Sequence, residues 1–470
     1  MSALWTSAEI AAATHGRTHG PDFEVTGISI DTRSLMAGDF FVALSAARDG
    51  HDFVADALAK GAAGALVSRI PDGVAQDAPL ILVEDVQTAL EDLGRAGRAR
   101  MTGQVVAITG SVGKTTSKEM MRAALAPLGR VHASVASYNN HWGVPLTLAR
   151  MPRETDFAVI EIGMNAPGEI APLARMARPH LAIVTTVAAA HLEAFGSLEG
   201  IAHEKASIYE GLETGGIALV NADVETSAIL QDKATACAAR VLRFGEAETA
   251  AARLASVEII EDRTIVSMVF DGDTHLFKLN TAGRHLALNA VAVMASVAAL
   301  GGDVALAALG LSDWQAVTGR GTRERLTLSN RHAHAGEIEM IDDAYNANPA
   351  SIAAALDVLA SAEARRRVAV LGDMLELGAQ GPAMHAELAD LPSIAKIDRI
   401  HTVGGLMEHL HEALPSDKRG LHCETADEMA RALPKTLEEG DIVLLKGSNS
   451  VKLARVVDAL RNLGQSVEER

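Results

Sequence analysis

The residues best suited to do chemistry stand in the stretch QVVAITGSVGKTTSKEMM. A short β-rich run ends at Thr109. Gly110, Ser111, Val112 and Gly113 then form a turn, and Lys114, Thr115 and Thr116 open an amphipathic helix. Glycines let backbone N–H groups approach phosphate oxygens, and a helix N-terminus adds partial positive charge. A lysine placed there reaches the outer phosphates, and a hydroxyl can bind magnesium. The loop reads Gly-x-x-Gly-Lys-Thr-Thr, shorter than the common Walker form, with Ile108 where that form carries its first glycine. The bland alternative is a glycine-rich strand-to-helix turn with an incidental lysine. Strand, loop, lysine and paired threonines all agree on phosphate.

Other candidates are less specific. Glu161 closes the run FAVIEIG. A carboxylate at a strand's C-terminal end can hold magnesium beside a phosphate loop, or simply face water. His191 follows the run Leu181 to Val187, but the chain has 17 histidines and hard cations favour oxygen. Lys205, in AHEKASIYEGL, reads at face value as a solvated helix lysine. His285 and Asn289 lie four apart, hence on one helix face. Arg320 stands in a Gly-Arg-Gly turn, also a place for an exposed linker charge. Ser29, Asp31 and Arg33 precede a turn at Gly38 and alone suggest an Asx-turn with a surface ion pair.

Positioning these groups requires strands and helices in alternation, and the chain falls into three segments, 1–100, 101–316 and 317–470. The first shows strand patterns at Val25 to Ile30, Phe40 to Leu44, Ala65 to Ser68 and Leu80 to Val83. With a helix from Phe53 to Lys60 and another ending near Arg100, it reads as a small α/β unit. In the second, Gln104 to Thr109, Phe157 to Ile162, Leu181 to Val187 and Ile217 to Asn221 read as buried strands. Helices between them predict a parallel sheet covered on both faces. Ser256 to Phe270 and Thr274 to Leu279 look like hairpin strands, and an apolar helix runs from Arg284 to Leu300. The third segment has strand runs at Val368 to Leu371, Arg399 to Val403 and Ile442 to Leu445, each followed closely by glycine. It predicts a nucleotide-fold-like α/β domain whose ligands gather at strand C-terminal ends.

Composition supports this α/β, three-domain reading. At about 150 residues per domain, 470 residues suggest three. Hydrophobic residues at 48 % and charged residues at 22 % are ordinary for globular chains. With 42 Lys+Arg against 60 Asp+Glu the formal charge is −18, which argues against nucleic-acid binding by a bulk basic field. Anionic small ligands remain possible through local groups. Cys237 and Cys423 form no CxxC pair, so neither a disulfide framework nor a thiolate zinc site is expected. The start MSALWTSAEIAAATHG has no basic region before an apolar core, and the stretch Leu286 to Leu300 is too short for a membrane span. The expectation is a cytoplasmic protein without a signal peptide or membrane span.

The shortened loop GSVGKTT resembles the ATP loop of the Mur ligases and the related folylpolyglutamate synthases. DTRSLMAGDFFVAL and DGHDFVADALAKGAAGALV resemble the UDP-sugar-binding domain that opens some Mur ligases and that a folylpolyglutamate synthase should lack. SYNNHWGVPLTL, EIGMNAPGEI, IDDAYNANPASI, LGDMLELG and LLKGSNS resemble, in order and spacing, the D-alanyl-D-alanine-adding members. The Asp-Asn-Pro-Arg cluster of the diaminopimelate-adding members is absent. TTVAAAH before His191 departs from the family's usual Asn, Gly and Glu, and Leu286 stands where Asn is usual.

The resemblance implies an ATP-dependent amide ligase of cytoplasmic peptidoglycan precursor synthesis. It would join D-alanyl-D-alanine to UDP-N-acetylmuramoyl-tripeptide through an acyl phosphate, as a monomer and with no nucleic-acid partner. UDP-sugar, ATP and ligase domains would cover 1–100, 101–316 and 317–470. Lys114 and the loop residues 110–116 would hold the ATP phosphates. Thr115, Glu161, His191 and Lys205, the last as a CO2-derived carbamate, would serve Mg2+. A lysine must be neutral to react with CO2, which a desolvated or cation-rich setting favours. His285 and Asn289 would meet the adenine, Arg320 the terminal phosphates, and Asp343, Tyr345 and Asn346 the ribose and the domain junction, with Asn348. Ser29, Asp31 and Arg33 would contact the uridine diphosphate, Asn139 and Asn140 the muramoyl part, and Asp373, Lys446 and Ser448 the dipeptide. From a different class, a kinase or nucleotide-gated binding module would share only the phosphate loop. Such a protein would release ADP without an amine acceptor or leave phosphate on its substrate. The intact Lys114, Glu161 and His191 speak against an inactive homologue.

Overall fold

The computed structural model describes residues 3–260, 263–328 and 336–466. Three sheets dominate. The first runs Arg17–His19, Leu80–Leu82, Gly64–Val67, Asp39–Val42, Gly27–Ser29, parallel except at the Arg17–His19 edge. The strand expected from Val25 to Ile30 is split. Glu24–Val25 pairs antiparallel with Trp5–Thr6, and Gly27–Ser29 joins the sheet.

This sheet is covered by the helix Val86–Ala99, whose Gly94 and Gly97 press against the helix Gly143–Ala149 of the central segment. A Cβ on Gly97 would lie 2.2 Å from the Leu148 carbonyl oxygen. The Trp5 indole N–H donates to the Ala149 carbonyl at 2.8 Å, and Leu146 and Ala149 pack into the first sheet's core. The first and central segments therefore share a core across residue 100.

The central sheet has nine strands. Their order is Asp273–Leu279, Arg263–Phe270, Ala252–Ile260, Arg240–Gly245, Ile217–Asn221, Leu181–Val184, Gln104–Thr109, Phe157–Glu161, Val131–Ala133. Pairing is parallel from Val131–Ala133 to Ala252–Ile260, and Arg263–Phe270 and Asp273–Leu279 add antiparallel at the other edge. The run read as one strand, Ser256 to Phe270, is in fact two, with Ile260 opposite Arg263; residues 261–262 within it lie outside the described residues. No glycine or proline marks that reversal, so the β-rich pattern looked continuous.

Both faces of the central sheet are buried. Val106 and Ile108 enter one core with helices Lys114–Leu125 and Arg284–Ala299; Val105 and Ala107 enter the other with Ile170–Ala177 and Leu198–Ala206. That alternation follows the two-residue period of a strand. Gln104–Thr109 lies between Phe157–Glu161 and Leu181–Val184, so strand order reverses around it. A crevice at the strand C-terminal ends follows from that reversal.

The third sheet runs Arg419–Cys423, Arg399–Val403, Arg366–Gly372, Asp441–Lys446, Gly336–Asp343, Thr322–Leu328, Gly464–Ser466. The first five are parallel and the last two antiparallel. The three expected strands form its centre. Among the described residues no helix is long and apolar enough to cross a membrane, and both cysteines are free.

Candidate active site

The central and third segments enclose a cleft of about 670 Å³ at the end of Gln104–Thr109. The phosphate loop forms its floor. Gly110 and Gly113 have φ of 154° and 86°, and a Cβ on Gly110 would meet Thr185 Oγ1 at 1.9 Å. Only glycine fits there. Lys114 Nζ donates back to the Gly110 carbonyl at 2.6 Å. Desolvation lowers its ammonium pKa below the usual lysine value; Glu161 opposes this and Arg320 adds to it. The alanine run before His191 meets the loop through its backbone. Ser111 Oγ donates to the Ala188 carbonyl and accepts from the Ala188 amide, each at 3.0 Å. The family's polar residues are thus not needed for that contact.

Glu161 is 1 % exposed. Its Oε1 accepts from Thr115 Oγ1 at 3.1 Å and from Asn139 Nδ2 at 2.8 Å. Its Oε2 is buried and, among the described residues, has no hydrogen-bond donor. The nearest cation is Lys118 Nζ at 3.9 Å, itself fully buried and bonded to the carbonyls of Ser134 and Ala136. A buried carboxylate oxygen with no donor, beside a threonine hydroxyl at a phosphate loop, fits a hard divalent cation that keeps some of its water. Among the described residues no group of three His, Cys, Asp or Glu could hold a metal alone, which suits an ion completed by substrate phosphates.

Lys205, read at face value as a solvated lysine, is 1 % exposed. Among the described residues its Nζ has only the Met164 sulfur, at 3.9 Å. Desolvation, reinforced by Lys114, drives its pKa well below that of an ordinary lysine. His191, at φ 59°, pairs through Nδ1 with the Glu376 carboxylate of the third segment. Desolvation lowers its imidazole pKa, Glu376 raises it, and Lys114 and Lys205 lower it again.

From the third segment, Arg320 donates to Ser137 Oγ at 2.9 Å and stacks 4.1 Å over the Tyr345 ring. Lys446, nearly buried, reaches Asp343 at 2.8 Å and the Asn346 carbonyl at 2.9 Å. Burial raises the Asp343 carboxyl pKa against the pull of Lys446 and Arg320. His285 and Asn289 both line the cleft, and Asn289 lies against Gly113. Asn348 and Ser448 also line it, although the Asn348 side chain caps the helix Pro349–Ser361 and Ser448 Oγ accepts from the Leu375 amide. Asn139 and Asn140 line the opposite wall, the latter accepting from the Trp142 and Gly143 amides.

Six expected residues are not among those lining the cleft: Gly110 at the loop's start, Lys205 behind Met164, and Ser29, Asp31, Arg33 and Asp373. Ser29, Asp31 and Arg33 do not line this cleft; the Arg33 guanidinium chelates Asp31, holding that carboxyl down at about 2, and Ser29 bonds to the Asp31 carbonyl. Asp373 turns its carboxylate to the Met407 amide at 2.7 Å. Sequence reasoning missed Lys118, Ser137 and Glu376. Glu376 had a signal in the stretch LGDMLELG, but its partner lies 185 positions away in the chain.

The family model described as the Mur ligase middle domain matches residues 108–297, and that of the Mur ligase glutamate ligase domain matches 325–449. The UDP-N-acetylmuramoyl-tripeptide–D-alanyl-D-alanine ligase of Escherichia coli is 35 % identical, covering 98 % of this chain and 99 % of that protein. The chain belongs to the Mur ligase family. The Bacillus subtilis ligase of the same name is also 35 % identical, over 97 % of this chain and 98 % of its own length. Among solved Mur ligases, MurF from Acinetobacter baumannii superposes with a TM-score of 0.83 at 29 % identity, over 97 % and 99 % of the two chains. MurF from Thermotoga maritima in complex with ADP gives 0.77 at 26 %, over 93 % and 97 %. In this Mur ligase the two matched stretches face each other across the cleft, Lys114, Glu161 and His191 opposite Asp343, Glu376 and Lys446.

Proposed function

We propose that this Mur ligase joins D-alanyl-D-alanine to UDP-N-acetylmuramoyl-tripeptide at the expense of ATP, in cytoplasmic peptidoglycan precursor synthesis, acting as a monomer. The observation that carries the reading is the donor-free Glu161 Oε2 at a phosphate loop, faced by cationic side chains of the third segment. Residues 1–100 serve the UDP-sugar, 101–316 the ATP, and 317–470 closure and the dipeptide. The tripeptide carboxylate attacks the γ-phosphorus, ADP leaves, and an acyl phosphate remains. The dipeptide amine then attacks the acyl carbon; the C–N bond forms, the C–O bond to phosphate breaks, and the amine gives up its proton.

Each residue's role follows from charge. A carboxylate and ATP repel, so Lys114 and Arg320 must offset the phosphates where they meet. Thr115, Glu161 and His191 would hold magnesium, joined by Lys205 as a carbamate. Magnesium supplies neutralisation of the γ-phosphate and of the developing charge on it. The buried, partnerless amine of Lys205 suits carbamylation, because its neutral form is favoured there. His285 and Asn289 flank the adenine side, and Asp343, Tyr345 and Asn346 the ribose side. Asn139, Asn140, Asn348, Lys446 and Ser448 border the acyl and amine ends. Ser29, Asp31 and Arg33 take the uridine diphosphate on the first sheet, with Arg33 leaving Asp31 to do so. A closed cleft keeps water from the acyl phosphate.

The deciding experiment measures ADP release with the nucleotide tripeptide, with and without the dipeptide. Release that requires both is expected. Release without an amine acceptor, or phosphate retained on the substrate, indicates a kinase-like reaction instead.

A further inference from the structure

Among the described residues four carboxylates line the cleft: Glu161, Glu169, Asp343 and Glu376. Three are engaged. Glu161 receives Thr115 and Asn139, Asp343 receives Lys446, and Glu169 receives the Asn165 amide at 2.7 Å. Glu376 differs, because its side chain is 57 % exposed to the cleft while its backbone is fixed. It holds φ at 63°, and its carbonyl accepts from the Glu193 amide at 3.1 Å. The neighbouring Leu375 amide is tied to Ser448 at 3.0 Å. The loop is anchored on both sides, and its carboxylate has the His191 ring as its side-chain partner.

The surroundings of Glu376 are cationic. Lys114 and Arg320 line the same cleft; Lys114 acts on its partner His191, and Arg320 acts on Lys114. These cations suit phosphates and a carboxylate, but they repel the one substrate that arrives with a positive end. An α-amino group has a pKa of about 8, so the dipeptide enters mostly as an ammonium. It must stop beside the acyl carbon, within reach of those cations, and a carboxylate there offsets the repulsion.

We infer that Glu376 binds the ammonium end of the incoming dipeptide, exchanging His191 for it, and thereby selects acceptors with a free amino terminus. The inference rests on the ligase reading above. Glu376 is a binding residue in this scheme, and no covalent step is assigned to it.

The test uses the full chain with ATP, magnesium and the nucleotide tripeptide. It compares KM for D-alanyl-D-alanine with the inhibition constant of propionyl-D-alanine, the same dipeptide with its amine replaced by hydrogen. Glu376→Gln is expected to raise the dipeptide KM about ten-fold or more, the scale of a lost charge-assisted hydrogen bond. The inhibition constant of the amine-free analogue and the KM for ATP should stay within about two-fold, and Glu376→Asp should recover part of the loss. Equal weakening of both ligands means the side chain only supports the loop and overturns the inference, as does an unchanged dipeptide KM. Wild-type protein that turns over ATP without any dipeptide dependence refutes the ligase reading itself, a result distinct from either outcome in the variant.

Discussion

Replacing Glu161 by glutamine separates the stability of the site from its chemistry. In Glu161→Gln the remaining side-chain carbonyl oxygen can keep both bonds that Oε1 now accepts, from Thr115 at 3.1 Å and Asn139 at 2.8 Å. The new NH2 group stands at Oε2, which has no donor to lose. What disappears is attraction to Lys118 at 3.9 Å and a weaker, longer-range attraction to Lys114. At an effective dielectric of about 20 the Lys118 attraction is about 4 kcal/mol. Removing the charge also removes a desolvation cost of several kcal/mol from a buried carboxylate. Lys118 retains Glu119 at 2.9 Å and two carbonyls. The two large terms nearly cancel, so the ligand-free variant should stay within about 2 kcal/mol of the parent. Its metal-dependent properties should collapse. Nucleotide at a hundred times its Kd stabilises by about 2.7 kcal/mol. In the parent, magnesium should enlarge the stabilisation that ADP gives; in Glu161→Gln it should add little, and turnover should fall about 10²–10³-fold. Unfolding measured with ADP alone, then with ADP and magnesium, reads the difference. An unchanged magnesium increment in the variant would refute the assignment of Glu161 to the metal.

Lys205→Ala should lose most activity and regain part of it with added formate or acetate, which replace a carbamate's oxygens; steady-state ADP release checks this, and an unimpaired variant rules the role out. His401, 2 % exposed, accepts the Leu421 amide on Nδ1, so burial lowers its pKa from 6.5 to about 4. The unfolded chain therefore binds an extra proton between those values, and stability falls as pH drops from about 6.5 to 4, by about 3 kcal/mol from this residue. Burial shifts His132 and His385 in the same direction, adding to the loss. In denaturant unfolding, His401→Gln should show a shallower decline over that window; an identical slope would contradict the burial argument.

The phosphate loop was legible because everything it needs is local: a strand, two glycines, Lys114 and Thr115 lie within one short stretch. The centres of the central and third sheets were legible for a related reason, since doubly buried strands are continuous apolar runs. Edges were harder. Thr322–Leu328 carries Arg323, Glu324 and Arg325 in a row, and Gly336–Asp343 carries Glu337, Glu339, Asp342 and Asp343, so neither stands out as an apolar strand. Lys118 and Lys205 look alike in the sequence to any helix lysine. Only the packing of distant elements buries them, one against the carbonyls of Ser134 and Ala136 and the other behind Met164. The Glu376–His191 pair joins two segments, and no spacing rule links its members.

The contact between Gly97 and the Leu148 backbone bears on how such enzymes can be recombined. Backbone meets backbone there, leaving no side chain able to re-pack around a foreign neighbour. A first segment cut at residue 100 and grafted onto another relative would carry one half of this seam and meet a stranger's other half. The unit that evolution or an engineer can exchange intact is therefore the first sheet together with both helices, Val86–Ala99 and Gly143–Ala149, even though the phosphate loop lies between them in the chain.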